Sequence, residues 1–393
     1  MLTKIKELSE KYFSETKGYR HHIHSNPELS FQEFETSKYI QAQLTSMGIP
    51  FEVKADTGIV AHIQGNGSSS KVVALRADID ALPIQETNEV SYKSKNAGVM
   101  HACGHDVHTS SLLSSLKILN ELKSEWGGIV KAIFQPAEEK LPGGASIMIK
   151  EGALENPKAE SIIGQHVMPL IETGKVGFRS GKYMASTDEL YIKVIGKGGH
   201  GAMPQFNIDP VLISSHMIVA LQQVVSRNAD PKMPSVLSFG KVIANGATNV
   251  IPNEVIIEGT FRTLDEDWRA KAHEHIRTIA TGIVESMGGK LELEIRKGYP
   301  FLVNDEKVTA TAKTAAEEYL GKENVVDLDI WMAAEDFAYY SQVMPASFYR
   351  LGTGNKSKGI TASVHTPNFD IDENALRIGP GLMAYIAISE LKN

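Results

Sequence analysis

Apolar and polar positions divide the chain into two stretches of different rhythm. In the first half, short apolar runs rich in β-branched residues alternate with segments of helical periodicity. Lys71 to Arg76 (KVVALR), Ile129 to Phe134 (IVKAIF) and Ser161 to Val167 (SIIGQHV) read as strands. Residues 30–47, 108–123 and 143–150 read as helices, and Pro136 stops the second strand. Strands that alternate with helices in this way predict a central, mostly parallel sheet flanked by helices.

The rhythm changes near residue 185. Glu189 to Ile195 reads as a strand and Pro210 to Val225 as a helix. Ser235 to Val242 and Glu254 to Thr263 follow as two consecutive strands, Asp265 to Met287 as a long helix, and Leu291 to Arg296 as a half-buried strand. That order, β-α-β-β-α-β, is the split βαβ of ferredoxin-like domains. After residue 300 mixed helices and short strands return. They end in a helix expected over Asp372 to Leu391, with Leu376, Ile378, Leu382, Ile386 and Leu391 on its apolar positions. The expected organisation is an α/β domain made of residues 1–184 and 298–393, interrupted by an inserted domain of residues 185–297. The length of 393 residues agrees, because one hydrophobic core stops growing at roughly 250–300 residues.

Composition narrows the class. With 42% hydrophobic and 22% charged residues the chain has the balance of a globular protein. A net charge of −7, without a run of Lys and Arg longer than a pair, argues against nucleic acid or an anionic membrane as a partner. The first 17 residues lack the apolar core of a signal peptide, and no stretch approaches a membrane span. The expected location is the cytoplasm. Cys103 is the single cysteine, so an intrachain disulfide is impossible.

A lone cysteine is ordinarily a small buried apolar residue. Its neighbours here argue for more. The stretch MHACGHDVHT, residues 100–109, sets Cys103, His105, Asp106 and His108 within six residues. Gly104 permits a tight turn that lets a thiol and an imidazole converge on one ion, and those ligands suit zinc and other late first-row metals. QPAEE, residues 135–139, follows a strand, where open α/β sheets bind ligands. Adjacent carboxylates are usually a solvated pair, but at a strand end one can ligate a metal while its neighbour moves a proton. His166 also falls at a strand end, and His365 lies in a loop before the last helix. GKGGHGAMP, residues 196–204, contains His200 and lacks the spacing of a phosphate-binding loop.

Taken together, these stretches resemble the metallopeptidase and amidohydrolase family that includes aminoacylase, glutamate carboxypeptidase, hippurate hydrolase and the plant auxin-conjugate hydrolases. The resemblance runs over nearly the whole chain. It includes RHHIHSNPELSFQE at 20–33, RADIDALPI at 76–84, ATNVIPNEVIIEGTFRT at 247–263, AEDFAYY at 334–340 and HTPNFDIDENAL at 365–376. The cysteine form of the first motif points to the amidohydrolase subgroup, because the peptidase branches carry a carboxylate at the position of Cys103. The resemblance implies two divalent metal ions, manganese or zinc, with cobalt or nickel as further options, held by Cys103, His105, Glu139, His166 and His365. It also implies Glu138 as general base, Asp80 as the aspartate that orients a ligand, and His200 as a catalytic group from the inserted domain. Asn249 and Arg262 would contact substrate, and Arg262 has the fork to pair with a carboxylate. The implied reaction is hydrolysis of a small N-acylated amino acid by a homodimer. The chain has Ala334 where the family often has Ser, and Val107 and Ala346 where it often has Gly. No ligand role follows for His21, His22 or His24. Two rival readings are a dipeptidase or carboxypeptidase of the same family and a metal-binding homologue without catalysis.

Overall fold

A computed structural model of the chain describes residues 1–392. These residues form two compact units. The first comprises Met1–Lys182, Val303–Ile330 and the chain from Asp336 onward, and the second Tyr183–Leu302 with Trp331–Glu335.

In the first unit the three apolar runs form strands that extend beyond them, as Gly67–Asp78, Gly127–Gln135 and Ser161–Glu172. With Ala346–Gly354 they are the parallel centre of an eight-stranded sheet. Their order is Gly127–Gln135, Gly67–Asp78, Ser161–Glu172, Ala346–Gly354. Ala74, Leu75, Ala132, Phe134, Ile162, Ile163 and Leu351 are all buried, as they must be in parallel strands covered on both faces. The strands Phe51–Lys54 and Gly58–Gln64 extend one edge antiparallel. Helices His105–Glu121 and Gly379–Lys392 pack on each other and on Gly67–Asp78.

The chain passes from Gly67–Asp78 to Gly127–Gln135 on one side, then crosses back to Ser161–Glu172 on the other. The carboxyl end of Gly67–Asp78 is therefore a topological switch point, the place where open α/β sheets leave a crevice for ligands.

The second unit holds the strand Asp188–Ile195, the helix Pro210–Leu221, the strands Ser235–Ile243 and Glu254–Thr263, the helix Glu266–Ser286 and the strand Lys290–Lys297. The first of these strands lies between the third and the fourth, and every pairing is antiparallel. Sequence sets the helix starts. Asp209 accepts from Val211 N and Leu212 N ahead of Pro210, and Asp265 accepts from Trp268 N. Arg269 locks the long helix to the first strand through Asp188, both buried, with Nη2 at 2.5 Å from Oδ1.

Two features differ from the sequence reading. The last helix is not continuous over Asp372 to Leu391: a short 3-10 turn, Glu373–Arg377, precedes an α-helix that begins at Gly379. Pro380 lacks the N–H that would continue the ladder, but it fits the first turn of a new helix. The other is at the start of the chain. Leu2–Lys11 and Phe13–Ser25 are helices that the sequence reading left unassigned. Among the described residues no helix is long and apolar enough to cross a membrane.

Candidate metal centre

The turn between Met100 and the helix His105–Glu121 brings its ligating atoms together because Gly104 takes a left-handed conformation, φ 85°. A Cβ there would sit 2.5 Å from Val167 Cγ2, so only glycine allows Cys103 and His105 to turn toward the sheet. Cys103 Sγ lies 3.4 Å from His166 Nε2 and 3.3 Å from His365 Nε2. His365 Nε2 is also 3.1 Å from Glu139 Oε1. His105 Nε2 stands 4.0 Å from Glu138 Oε2 and 4.0 Å from Glu139 Oε1. Three overlapping groups result: Cys103, His105 and His166; Cys103, Glu139 and His365; and His105, Glu138 and Glu139.

Two of the imidazoles, His105 and His166, are oriented from behind. His105 Nδ1 donates to Asp80, at 2.9 Å from the carbonyl and 3.1 Å from Oδ1. His166 Nδ1 donates to Val167 O at 2.8 Å. Both rings therefore turn Nε2 toward the cluster, the arrangement that outer partners of metal-bound histidines produce. Asp80 also accepts from Glu139 N at 3.0 Å, so one carboxylate fixes two of the expected ligands. Glu138 is buried, and its Oε1 is 3.4 Å from Asp336 N.

The charge balance of the cluster suits cations. Burial works against a proton on His105, yet the carboxylates of Asp78 and Asp80 push its pKa up to about 10. Burial pushes the Cys103 thiol well up, and Glu139, Glu138 and Asp78 push it further. Burial, helped by Arg350, holds His166 well below the usual histidine range, so this ring is neutral. His105 Nε2 is buried without a hydrogen-bond partner, and Glu139 Oε1, also buried, makes no hydrogen bond beyond its approach to His365 Nε2. Orphaned buried atoms, surplus carboxylates and mixed sulfur, nitrogen and oxygen donors together fit divalent metals.

The expected ligands Cys103, His105, Glu139, His166 and His365 thus lie in one place, with Asp80 and Glu138 beside them. His200, Asn249 and Arg262 belong to the second unit. His200, exposed, pairs with Val250 across a two-stranded ribbon, and Asn249 is exposed next to it. Arg262 is half-buried and donates to Met332 O at 3.1 Å.

Asp78 joins the site without having been singled out in the sequence. It ends its strand two residues before Asp80, a spacing that was readable, and is held by Arg76 and by His108 Nδ1 at 2.5 Å. His108 Nε2 in turn accepts from Val167 N at 2.9 Å, so both its nitrogens are used within the protein. The early histidines also find their places. His24 is buried between Asp106 Oδ2, at 2.8 Å, and Glu86 Oε1, at 3.2 Å. His21 bonds to Glu373, and His22 stacks on Tyr39.

The model of peptidase family M20/M25/M40 matches residues 74–389. The chain is 40% identical to an N-acetyl-L-cysteine deacetylase of Bacillus subtilis over 91% of this chain and 84% of that one. It is 40% identical to the IAA-amino acid hydrolase ILR1-like 4 of Arabidopsis thaliana over 96% and 86%. The crystal structure of a Bacillus subtilis protein described as a dinuclear metal-binding peptidase from the M20 family superposes with a TM-score of 0.83 at 34% identity, covering 98% of this chain and 99% of that one.

Proposed function

The chain belongs to peptidase family M20/M25/M40, and from that premise we propose that it hydrolyses the amide bond of N-acyl amino acids, releasing a carboxylic acid and a free amino acid. The observation that carries this reading is the convergence of Cys103, His105, Glu139, His166 and His365 beside the buried carboxylate of Glu138. The two curated relatives are named for an N-acetylated amino acid and for IAA–amino acids, so an N-acylated amino acid is common to both names.

Those five residues are assigned two divalent ions, manganese or zinc by preference, with cobalt or nickel also compatible with the donors. Bound there, such ions acidify water and polarise a carbonyl oxygen. Glu138 takes the proton from the attacking water and returns it to the leaving amine. Asp80 keeps the His105 ring and the Glu139 backbone in place. Residues 185–297 are assigned the role of an inserted lid and dimerisation domain. His200 is its oxyanion donor, and Asn249 and Arg262 are its substrate contacts, with the Arg262 fork meeting the amino-acid carboxylate. The exposed Val211, Leu212 and Val219 on the helix Pro210–Leu221 support a homodimer through this part of the chain. The proposed setting is the cytoplasm.

The test is amine release from N-acetyl, benzoyl and indole-acetyl amino acids and from dipeptides, with chelator-stripped protein reloaded separately with manganese, zinc, cobalt or nickel. Metal-restored turnover of N-acyl amino acids is expected. Turnover confined to the dipeptides would replace this reading with the peptidase one. His200→Ala is expected to lower kcat by about 10²–10³-fold, the size of one lost oxyanion donor, with metal content unchanged by elemental analysis. A parallel loss of metal would make His200 a ligand instead.

A further inference from the structure

The segment Ser30–Glu33 lies in one of the family-like motifs and has no part in the chemistry above. Its side chains nevertheless reach the two carboxylate-bearing loops of the metal centre. Ser30 Oγ donates to Asp80 Oδ2 at 2.6 Å, the same oxygen that accepts from Glu139 N. The backbone just before this segment runs alongside: Ala81 N donates to Glu28 O at 2.8 Å.

Glu33 is fully buried. Its Oε1 accepts from Phe31 N at 3.0 Å and from Ala137 N at 2.8 Å, and its Oε2 accepts from Thr57 Oγ1 at 2.9 Å. Phe31 and Ala137 are both left-handed, with φ of 67° and 50°. Neither is glycine, so each conformation is strained, and it persists only where the surroundings enforce it. Here both strained amides point at one carboxylate oxygen. Ala137 immediately precedes Glu138 and Glu139. Just after them the loop is pinned again, where Gly144 N donates to Ala137 O at 3.0 Å. A Cβ on Gly144 would fall 1.8 Å from Pro136 O.

We propose that Glu33 is a positioning residue: it holds the backbone at Ala137 left-handed and thereby aims Glu138 at the water and Glu139 at the metal. This rests on the roles given to Glu138 and Glu139 under the proposed function. Position of the acceptor oxygen, rather than negative charge, is what the brace requires. Glutamine keeps a carbonyl oxygen at the same reach and can donate its amide to Thr57. Aspartate keeps the charge but withdraws the oxygen by one methylene.

The experiment compares Glu33→Gln with Glu33→Asp. The readouts are kcat and KM on an N-acyl amino acid, manganese affinity by chelator competition, and the melting temperature of stripped protein. E33Q is expected within about threefold of wild type in kcat and in metal affinity. E33D is expected to lose about 100-fold in kcat, the size of an ångström-scale misplacement, and at least about tenfold in metal affinity, with KM little changed. Where E33D does not fold, Glu33→Met takes its place, with similar length and no acceptor oxygen. E33D at wild-type levels, or E33Q as impaired as E33D, overturns the proposal. Wild-type protein that cleaves no N-acyl amino acid while E33D still binds metal more weakly than E33Q removes the functional reading and leaves the brace standing. Wild-type turnover matched by every variant does the reverse.

Discussion

Glu138→Gln is expected to lower kcat by about 10³-fold or more while both metal ions stay bound. A positioned general acid–base contributes typically 10²–10⁴-fold, and in the proposed reaction one carboxylate serves both proton transfers, so the upper part of that range applies. Glutamine matches glutamate in shape and can still sit beside Asp336 N, the contact Glu138 Oε1 makes. It cannot accept the proton of the attacking water. The five assigned ligands are untouched, so elemental analysis should give the wild-type metal content, and the thermal melt should move little. KM should change less than kcat, because the group acts on the reacting water rather than on the bound substrate. Turnover within tenfold of wild type would remove Glu138 from the base role and shift attention to the other carboxylates within reach of His105 Nε2, Asp78 and Glu139.

The parts of this arrangement that could be read from the sequence share a physical origin. Parallel strands buried on both faces produce unbroken apolar runs, and the runs at 71–76, 129–134 and 161–167 marked the centre of the sheet. Polar residues at the ends of such runs have few structural uses, so Glu138, Glu139 and His166 stood out, whereas Asp80 came from the family resemblance alone. Gly104 announced its turn because no other residue accepts φ 85° against Val167. What stayed hidden depends on tertiary partners. Nothing local in Ser30 or Glu33 reveals that they meet Asp80 and the amide of Ala137 across 50 and 104 positions of chain. The sequence assigned no role to His24, because its partners Asp106 and Glu86 are contacts that exist only after folding. The antiparallel edge strand Phe51–Lys54 is short and half exposed, and it offers no apolar run to detect. The final helix carried its break in plain view at Gly379-Pro380-Gly381, but the apolar repeat on either side continued in register and masked it.

His105→Asn is expected to abolish tight binding of one of the two metal ions and, with it, measurable turnover. His105 is the residue that the Cys103–His166 group and the Glu138–Glu139 group have in common, so its removal affects both of them, while the Cys103–Glu139–His365 group keeps its residues. Asparagine is chosen because its amide nitrogen can take over the bond that His105 Nδ1 makes to Asp80. What it lacks is the nitrogen at the position of Nε2, the atom left buried without a partner. The variant therefore separates the ligand role of the ring from its bond to Asp80. Stability supplies a second readout. A metal that binds only the folded protein at 100 times its Kd stabilises it by about 2.7 kcal/mol per site. For a unit of this size that corresponds to a rise of about 5–11 °C in Tm between stripped and loaded wild type. In the asparagine variant the rise should shrink, because the two groups that contain His105 lose the nitrogen that completes them, while Cys103, Glu139 and His365 remain. The stripped forms of the two proteins should melt within a few degrees of each other, since the Asp80 contact is kept. A variant that still shows the full metal-dependent rise, with two ions bound per chain, would place the metals on other atoms and detach His105 from the centre.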